Sequence, residues 1–226
     1  MKSATSYHNA SGRAYKEIKE MISKYELIPG QKITYDQLAA KLKMSKTPII
    51  NALTRLEQEE FFTSFPNRGF SIKEMPPAEF EKLYRIRVTL EKLSLEEFIE
   101  YGDAKKLDEI QQAMAAHRNF PYGGFLSRKR LILDAAFHLK IAESGGNDNL
   151  YRLLRQIWEQ LHFRSRIEGF PPKRYHETSG EHEEIFMALK ERNLKRAQRI
   201  MENHLRKCKD ASLLVMQQND NESYEL

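Results

Sequence analysis

The sequence predicts a mainly α-helical protein: an N-terminal winged helix-turn-helix over residues 1–75, then a six-helix bundle over 76–216. Three observations lead there. Two short helices joined by a tight turn precede a β-prone hairpin, the chain after MPPAEF carries helical periodicity almost throughout, and no internal repeat interrupts either part. A length of 226 residues with 40% hydrophobic content is enough for two modest cores.

The first helix is marked by Tyr15, Ile18, Ile22 and Tyr25, a stripe at helical spacing that Ser11 would cap. LIPGQ breaks it. Thr34 and Gln37 form a capping box ahead of DQLAAKLK, and Ser45 is placed to cap a third helix from about Lys46 to Glu60. Pro48 falls in that helix's first turn, where amide hydrogens have no intrahelical acceptor, so it does not break the helix. FFTSF and FSIKE are short β-prone runs around PNRG, which puts Arg68 and Gly69 at the tip of a wing able to approach a phosphate backbone. Order, capping and basic tip together point to DNA binding. On the third helix Ile49, Leu53 and Leu56 form the inward stripe, leaving Lys46, Thr47, Ile50, Asn51, Thr54 and Arg55 on other faces as candidate readers. Lys46 and Thr47, near the helix N-terminus, suit phosphate contact; Asn51 suits an adenine edge.

MPPAEF marks the domain boundary, because two prolines cannot continue a strand and are well placed to start a helix. Helices are expected near 77–101, 104–118, 123–143, 147–168, 173–190 and 193–216, and the polar end QQNDNESYEL, from 217 to 226, as a disordered tail. Charge is uneven. Residues 1–75 hold twelve Lys or Arg against eight Asp or Glu, whereas the remainder holds twenty-five against twenty-four, so the positive excess sits in the winged-helix part. With no run of 18 apolar residues and no secretory signal at MKSATSYHNASGRAY, the expected location is the cytoplasm, without a membrane partner. Cys208 is the single cysteine, which excludes an intrachain disulfide and a thiolate zinc cluster; it reads as a small packing residue.

LILDAAFHLKIA, residues 131–142, puts Asp134 and His138 on the face meant for burial, alongside Leu131 and Ile141. Two other stripes do the same: His182 leads Ile185 or Phe186 and Leu189, and His204 stands with Ala197, Met201 and Cys208. A buried carboxylate among imidazoles needs a compensating charge, and a divalent cation supplies one. Three nitrogens and one oxygen suit zinc first, with nickel, iron or manganese also fitting. His8, His117, His162 and His176 lack this pattern and read as surface or pocket residues.

These residues resemble the GntR family of transcription regulators, in the FadR-like branch whose C-terminal ligand domain, of the FCD type, is all-helical. The resemblance spans residues 11–210 and rests on IPGQKI, LAAKLKMSKTPIINALTRLE and PNRGFSI, then RVTLE, DAAFH, the EHEEIFMAL histidine and the ENHL histidine. It implies a metal held by Asp134, His138, His182 and His204, and an arginine facing the pocket at Arg87, where a ligand carboxylate would be gripped bidentately. His162 and Arg164 join Arg87 as candidate effector contacts. The chain departs from the family at Lys46, commonly Arg, at Ile50 and Asn51, commonly Arg-Glu, and at Glu60, usually glycine. Loss of a guanidinium removes a bidentate contact, so the operator is expected to differ from the family's usual one.

The reading that results is a homodimeric, metabolite-responsive regulator of transcription, not an enzyme, whose helical domain binds a divalent metal and a small organic acid and whose winged helices bind double-stranded operator DNA. A metal-dependent hydrolase is the rival, since an open position on such an ion can activate water. It lacks a clear base: Glu181 and Glu183 neighbour His182 but project to other faces. A purely structural ion is the third reading.

Overall fold

The computed structural model describes residues 3–65, 69–120, 128–166 and 172–222. The chain divides into two compact units at the junction of Met75 and Pro76, except that Phe163–Ser165 belong with the N-terminal unit.

The N-terminal unit runs α1 (Ser3–Ser23), β1 (Lys32–Ile33), α2 (Tyr35–Leu42), α3 (Lys46–Gln58), β2 (Phe62–Phe65) and β3 (Gly69–Ile72). α1 starts well before the predicted cap, so Ser11 lies inside the helix and accepts a hydrogen bond from Asn51 Nδ2 at 3.3 Å instead. The Thr34–Gln37 capping box forms in both directions, and Lys43, at φ +52°, ends α2. Ser45 occupies the N-cap of α3 without a side-chain capping bond. Ile18, Ile22, Leu27, Leu38, Ile49, Leu53, Leu56 and Phe70 bury one another and fix α3 against α1 and the sheet.

The sheet has the order β1-β3-β2, both pairings antiparallel. β1, only two residues long, has no periodicity to announce it in the sequence. Arg68 lies outside the described residues, whereas Gly69 opens β3 at φ +87°, where a Cβ would meet Ile33 O at 2.4 Å. Glycine is required there by the passage of β3 past β1. Glu60, at φ +64°, takes a left-handed conformation that costs an L residue roughly 1–2 kcal/mol and would suit a glycine.

The C-terminal unit holds, among the described residues, α4 (Pro77–Tyr101), α5 (Ala104–Arg118), α6 (Arg128–Ser144), α7 (Asp148–Arg164), α8 (Pro172–Lys190) and α9 (Leu194–Glu222). α4 packs on α6 and α9, α8 on α9, and α5 on α6 and α8. α7 stops at Arg164, before the predicted 168. Contrary to the expectation of a disordered tail from 217, α9 continues to Glu222, and residues 223–226 lie outside the description. Neither glycine nor proline occurs there to stop it, and buried Val215 and Met216 anchor the preceding turn.

Replacing Gly69 with Ala should destabilise the N-terminal unit by about 1–3 kcal/mol, since a strained φ and a backbone clash coincide; urea unfolding followed by circular dichroism measures it.

Candidate metal centre and nucleic-acid interface

Arg130, Asp134 and His138 stand four residues apart on α6 and so share one face of it. His182 comes from α8 and His204 from α9. The ligand atoms of Asp134, His138, His182 and His204 all lie within 4.8 Å of one another, and the three imidazoles are fully buried.

Two carboxylates that the sequence reading did not assign to the site set the protonation of this cluster. Glu91 Oε2 lies 3.0 Å from His138 Nδ1, while its Oε1 accepts from Arg87 Nε at 3.1 Å and Trp158 Nε1 at 3.3 Å. Glu181 Oε2 lies 2.7 Å from His204 Nδ1, and the same carboxylate accepts from both terminal nitrogens of Arg174, at 3.0 and 2.8 Å, and from Lys207 Nζ at 2.9 Å. Burial pushes both carboxyls up, but His138 and Arg87 outweigh it at Glu91, and His204, Arg174 and Lys207 outweigh it at Glu181, so both are held below the usual carboxylate range.

An ionised carboxylate can only accept. Each Nδ1 therefore carries a proton, and in the neutral form of each ring Nε2 is left with a bare lone pair. Those two Nε2 atoms face one another at 3.2 Å. Such lone pairs repel unless a proton or a cation sits between them. A bridging proton falls to His204: burial opposes its charge, but Cys208, Glu181 and Asp134 together raise it to about 10.

His182 adds a second indication. Neither ring nitrogen has a hydrogen-bond partner; Nε2 lies 3.3 Å from Asp134 Oδ1, and the ring stacks on Phe137 at 4.2 Å. Burial, then the neighbouring His204 and His138, push its pKa well below normal, so it stays a neutral donor of a lone pair. Asp134 is held down by His138, His117 and His204 against the upward push of burial, so its carboxylate is ionised. One carboxylate oxygen and three imidazole nitrogens with lone pairs directed inward fit a divalent ion of the zinc, nickel, iron or manganese type.

A cavity of about 540 Å³, counted to its open mouth, adjoins the cluster; Asp134 is shared between the two. Arg87, predicted to face a pocket, lines it: its guanidinium lies 3.5 Å over the Trp158 ring and donates to Tyr84 Oη at 2.8 Å, leaving Nη2 without a partner. His162 lines it too, edge-on to Trp158. Arg164 does not. It belongs with the N-terminal unit, where Nε and Nη2 donate to the carbonyls of Lys73 and Glu74, both at 3.3 Å, and those bonds explain its burial. Cys208, read as a packing residue, lines the cavity with Sγ 3.1 Å from Arg174 Nη2. His117 is a pocket residue, buried with Nε2 3.9 Å from Asp134 Oδ1.

On α3 the inward side is Pro48, Ile49, Ala52, Leu53 and Leu56, while Lys46, Thr47, Ile50, Asn51 and Arg55 are all exposed. Lys46 pairs with Asp36 at 2.7 Å, with both side chains more than 60% exposed, so the pair is weak enough to exchange for a phosphate. Arg55 lies 4.0 Å over the Tyr15 ring and bonds Glu59 at 2.9 Å, and Tyr15 Oη donates to the same carboxylate at 2.5 Å. It ties α3 to α1.

A winged helix on the same chain as an all-helical domain is the build of a DNA-binding transcription regulator. Residues 10–72 match the family described as bacterial regulatory proteins, gntR family, and residues 82–207 match the FCD domain. The chain belongs to the GntR family, in its FadR-like branch with an FCD domain. It is 28% identical over 180 residues to the HTH-type transcriptional regulator YdhC of Bacillus subtilis, covering 79% of this chain and 80% of that one. Against the Nta operon transcriptional regulator of Aminobacter aminovorans it is 27% identical over 157 residues, 70% of this chain and 74% of the other. The solved structure of Escherichia coli McbR/YncC superposes with a TM-score of 0.76 at 20% identity, over 93% of this chain and 98% of that one, a likeness of fold.

Replacing Glu91 with Ala should lower stability by about 3–5 kcal/mol, because it strands the buried Arg87 guanidinium and unfixes His138. Urea unfolding followed by Trp158 fluorescence measures the loss.

Proposed function

We propose that this regulator acts in the cytoplasm as a homodimer, that it offers two α3 helices to a two-fold related operator, and that its hold on DNA changes when a small carboxylate enters the helical domain. Asp134, His138, His182 and His204 hold a divalent ion, zinc first by donor set. The observation that carries this reading is the pair of Nε2 atoms facing one another at 3.2 Å with both Nδ1 atoms bound to ionised carboxylates. When bound, the ion supplies a Lewis-acidic seat for an effector carboxylate. The unpartnered Nη2 of Arg87 and the ring of His162 face the same cavity and orient that effector.

At the DNA, exposed Lys46 and Thr47 contact phosphate near the N-terminus of α3, Asn51 is placed for an adenine edge, and apolar Ile50 suits a thymine methyl. Arg55, Arg68 and Gly69 contribute backbone contacts from the end of α3 and from the wing. No helix among the described residues is long and apolar enough to cross a membrane. Catalysis is disfavoured because both carboxylates beside the imidazoles, Glu91 and Glu181, are already engaged by arginine, which leaves neither to act as a general base. The curated relatives are named as regulators.

Elemental analysis should find about one divalent ion per chain, chelation should lower Tm, and His182→Ala should lose the ion while keeping its helical content. A protein that folds normally with no bound ion after metal supplementation would overturn the sensor half. For DNA, anisotropy titrations on fragments flanking its own gene should show binding that weakens steeply with salt. Lys46→Ala should weaken it on every fragment and reduce the salt slope by about one.

A further inference from the structure

We infer that α4 pairs antiparallel with α4 of a second copy of this chain, along an outward seam of Leu83, Ile86, Leu90 and Leu93. This rests on the reading of the protein as a homodimer and adds the surface that joins the two copies. The inward side of α4 is taken by Phe80, Tyr84, Arg87, Glu91 and Leu95, all buried. The second apolar row, from Leu83 to Leu93, advances in alternating steps of three and four residues, the spacing of a seam between paired helices. Within it Ile86 is 49% exposed and Leu93 is 37% exposed. A single exposed aliphatic is ordinary, but two on one face of one helix, seven residues apart with Leu90 between them, form a stripe. The flanks of the stripe are already engaged. Leu90 packs against the cluster of Ala142, Leu154 and Trp158, while on the other side Lys92 pairs with Glu202 and Glu96 accepts from Gln198, both on α9.

Charge selects the occupant and its direction. Lys82 and Arg85 stand exposed at the N-terminal end of the seam with no carboxylate partner among the described residues, whereas Glu96, Glu97 and Glu100 gather at its C-terminal end. An antiparallel copy that sets Ile86 of one chain against Leu93 of the other brings Lys82 opposite Glu97 and Arg85 within one helical turn of Glu96. The two-fold axis then passes between Thr89 and Leu90, and every contact is made twice, as a closed dimer requires. A parallel copy would lay Lys82 on Lys82 and Glu97 on Glu97, and like charges face to face at an interface are costly. The seam is thus complementary to itself, which favours a second copy over an unrelated partner. From Lys82 to Glu97 the paired stretch is about 22 Å long at a rise of roughly 1.5 Å per residue.

Sedimentation equilibrium of the full-length protein tests this pairing. Wild type should be dimeric, and Ile86→Glu combined with Leu93→Glu should raise the dissociation constant at least about a hundredfold. Lys82→Glu with Arg85→Glu should raise it at least about tenfold, because acidic groups then face acidic groups. Adding Glu96→Lys and Glu97→Lys to that same chain should restore most of the association, since the swap exchanges the two ends without changing net charge. Circular dichroism confirms that each variant is folded. A monomeric wild type overturns both the homodimer and this pairing. A wild-type dimer that the two aliphatic-to-glutamate substitutions leave intact overturns the seam but leaves the homodimer standing, and a charge swap that recovers nothing overturns the antiparallel direction.

Discussion

Two buried imidazole nitrogens held 3.2 Å apart, each with its proton kept on the far side of the ring by a carboxylate, constrain everything else in the helical domain. Lone pairs do not approach that closely in a low-dielectric interior unless something positive lies between them. The surrounding charges fix both Nδ1 protons and favour a positive charge, a proton on His204 or a cation, between the facing nitrogens. Arg87 and Trp158 keep Glu91 ionised and fixed, and Arg174 and Lys207 do the same for Glu181. If either glutamate were protonated, it could donate to Nδ1, and the ring tautomer would be free to change. The outer carboxylates thus matter as much as the four inner side chains.

That requirement also explains the packing. Glu91 on α4, Asp134 and His138 on α6, His182 and Glu181 on α8, and His204 on α9 draw four helices around one point. Buried charge is expensive, and each of these groups is tolerable only with its partners in place. Hydrocarbon alone would let the helices slide along their apolar stripes; the polar network fixes their register. In the N-terminal unit the corresponding device is smaller. Tyr15, Arg55 and Glu59 clasp α1 to α3 at the surface, and the exposed side of α3 is then free of structural duties over Lys46, Thr47 and Ile50.

The helices and the four converging side chains were legible in the sequence because periodicity carries them: Asp134 and His138 at a spacing of four, and His182 and His204 within apolar stripes, stand out against hydrocarbon neighbours. The outer groups were not. Glu91 lies 47 residues from His138 and Glu181 lies 23 from His204, and glutamate and arginine on helices are ordinarily solvated. Glu181 does turn away from the His182 side, as its position implies, but what it turns towards is α9. Arg164 shows the opposite failure: a buried arginine beside a pocket histidine looks like a ligand contact until the carbonyls of Lys73 and Glu74 are seen to occupy it. β1, at two residues, was too short to leave a pattern.

An ion held by the four side chains would be thermodynamically linked to any occupant of the cavity. Asp134 belongs to both, and Arg87, which lines the cavity, holds the glutamate that orients His138. An anion that drew Arg87 Nη2 towards itself would act on His138 through Glu91, and by linkage an ion on that imidazole would act equally on the anion. Arg174 repeats the arrangement on the other side, with its guanidinium on Glu181 and on Cys208 at the cavity wall. Because these contacts reach α4, α6, α8 and α9 at once, an occupant of the cavity bears on the relative positions of four helices and not on one loop. Differential affinity for two such packings is what a ligand needs in order to shift a population, and this cluster supplies a physical basis for it.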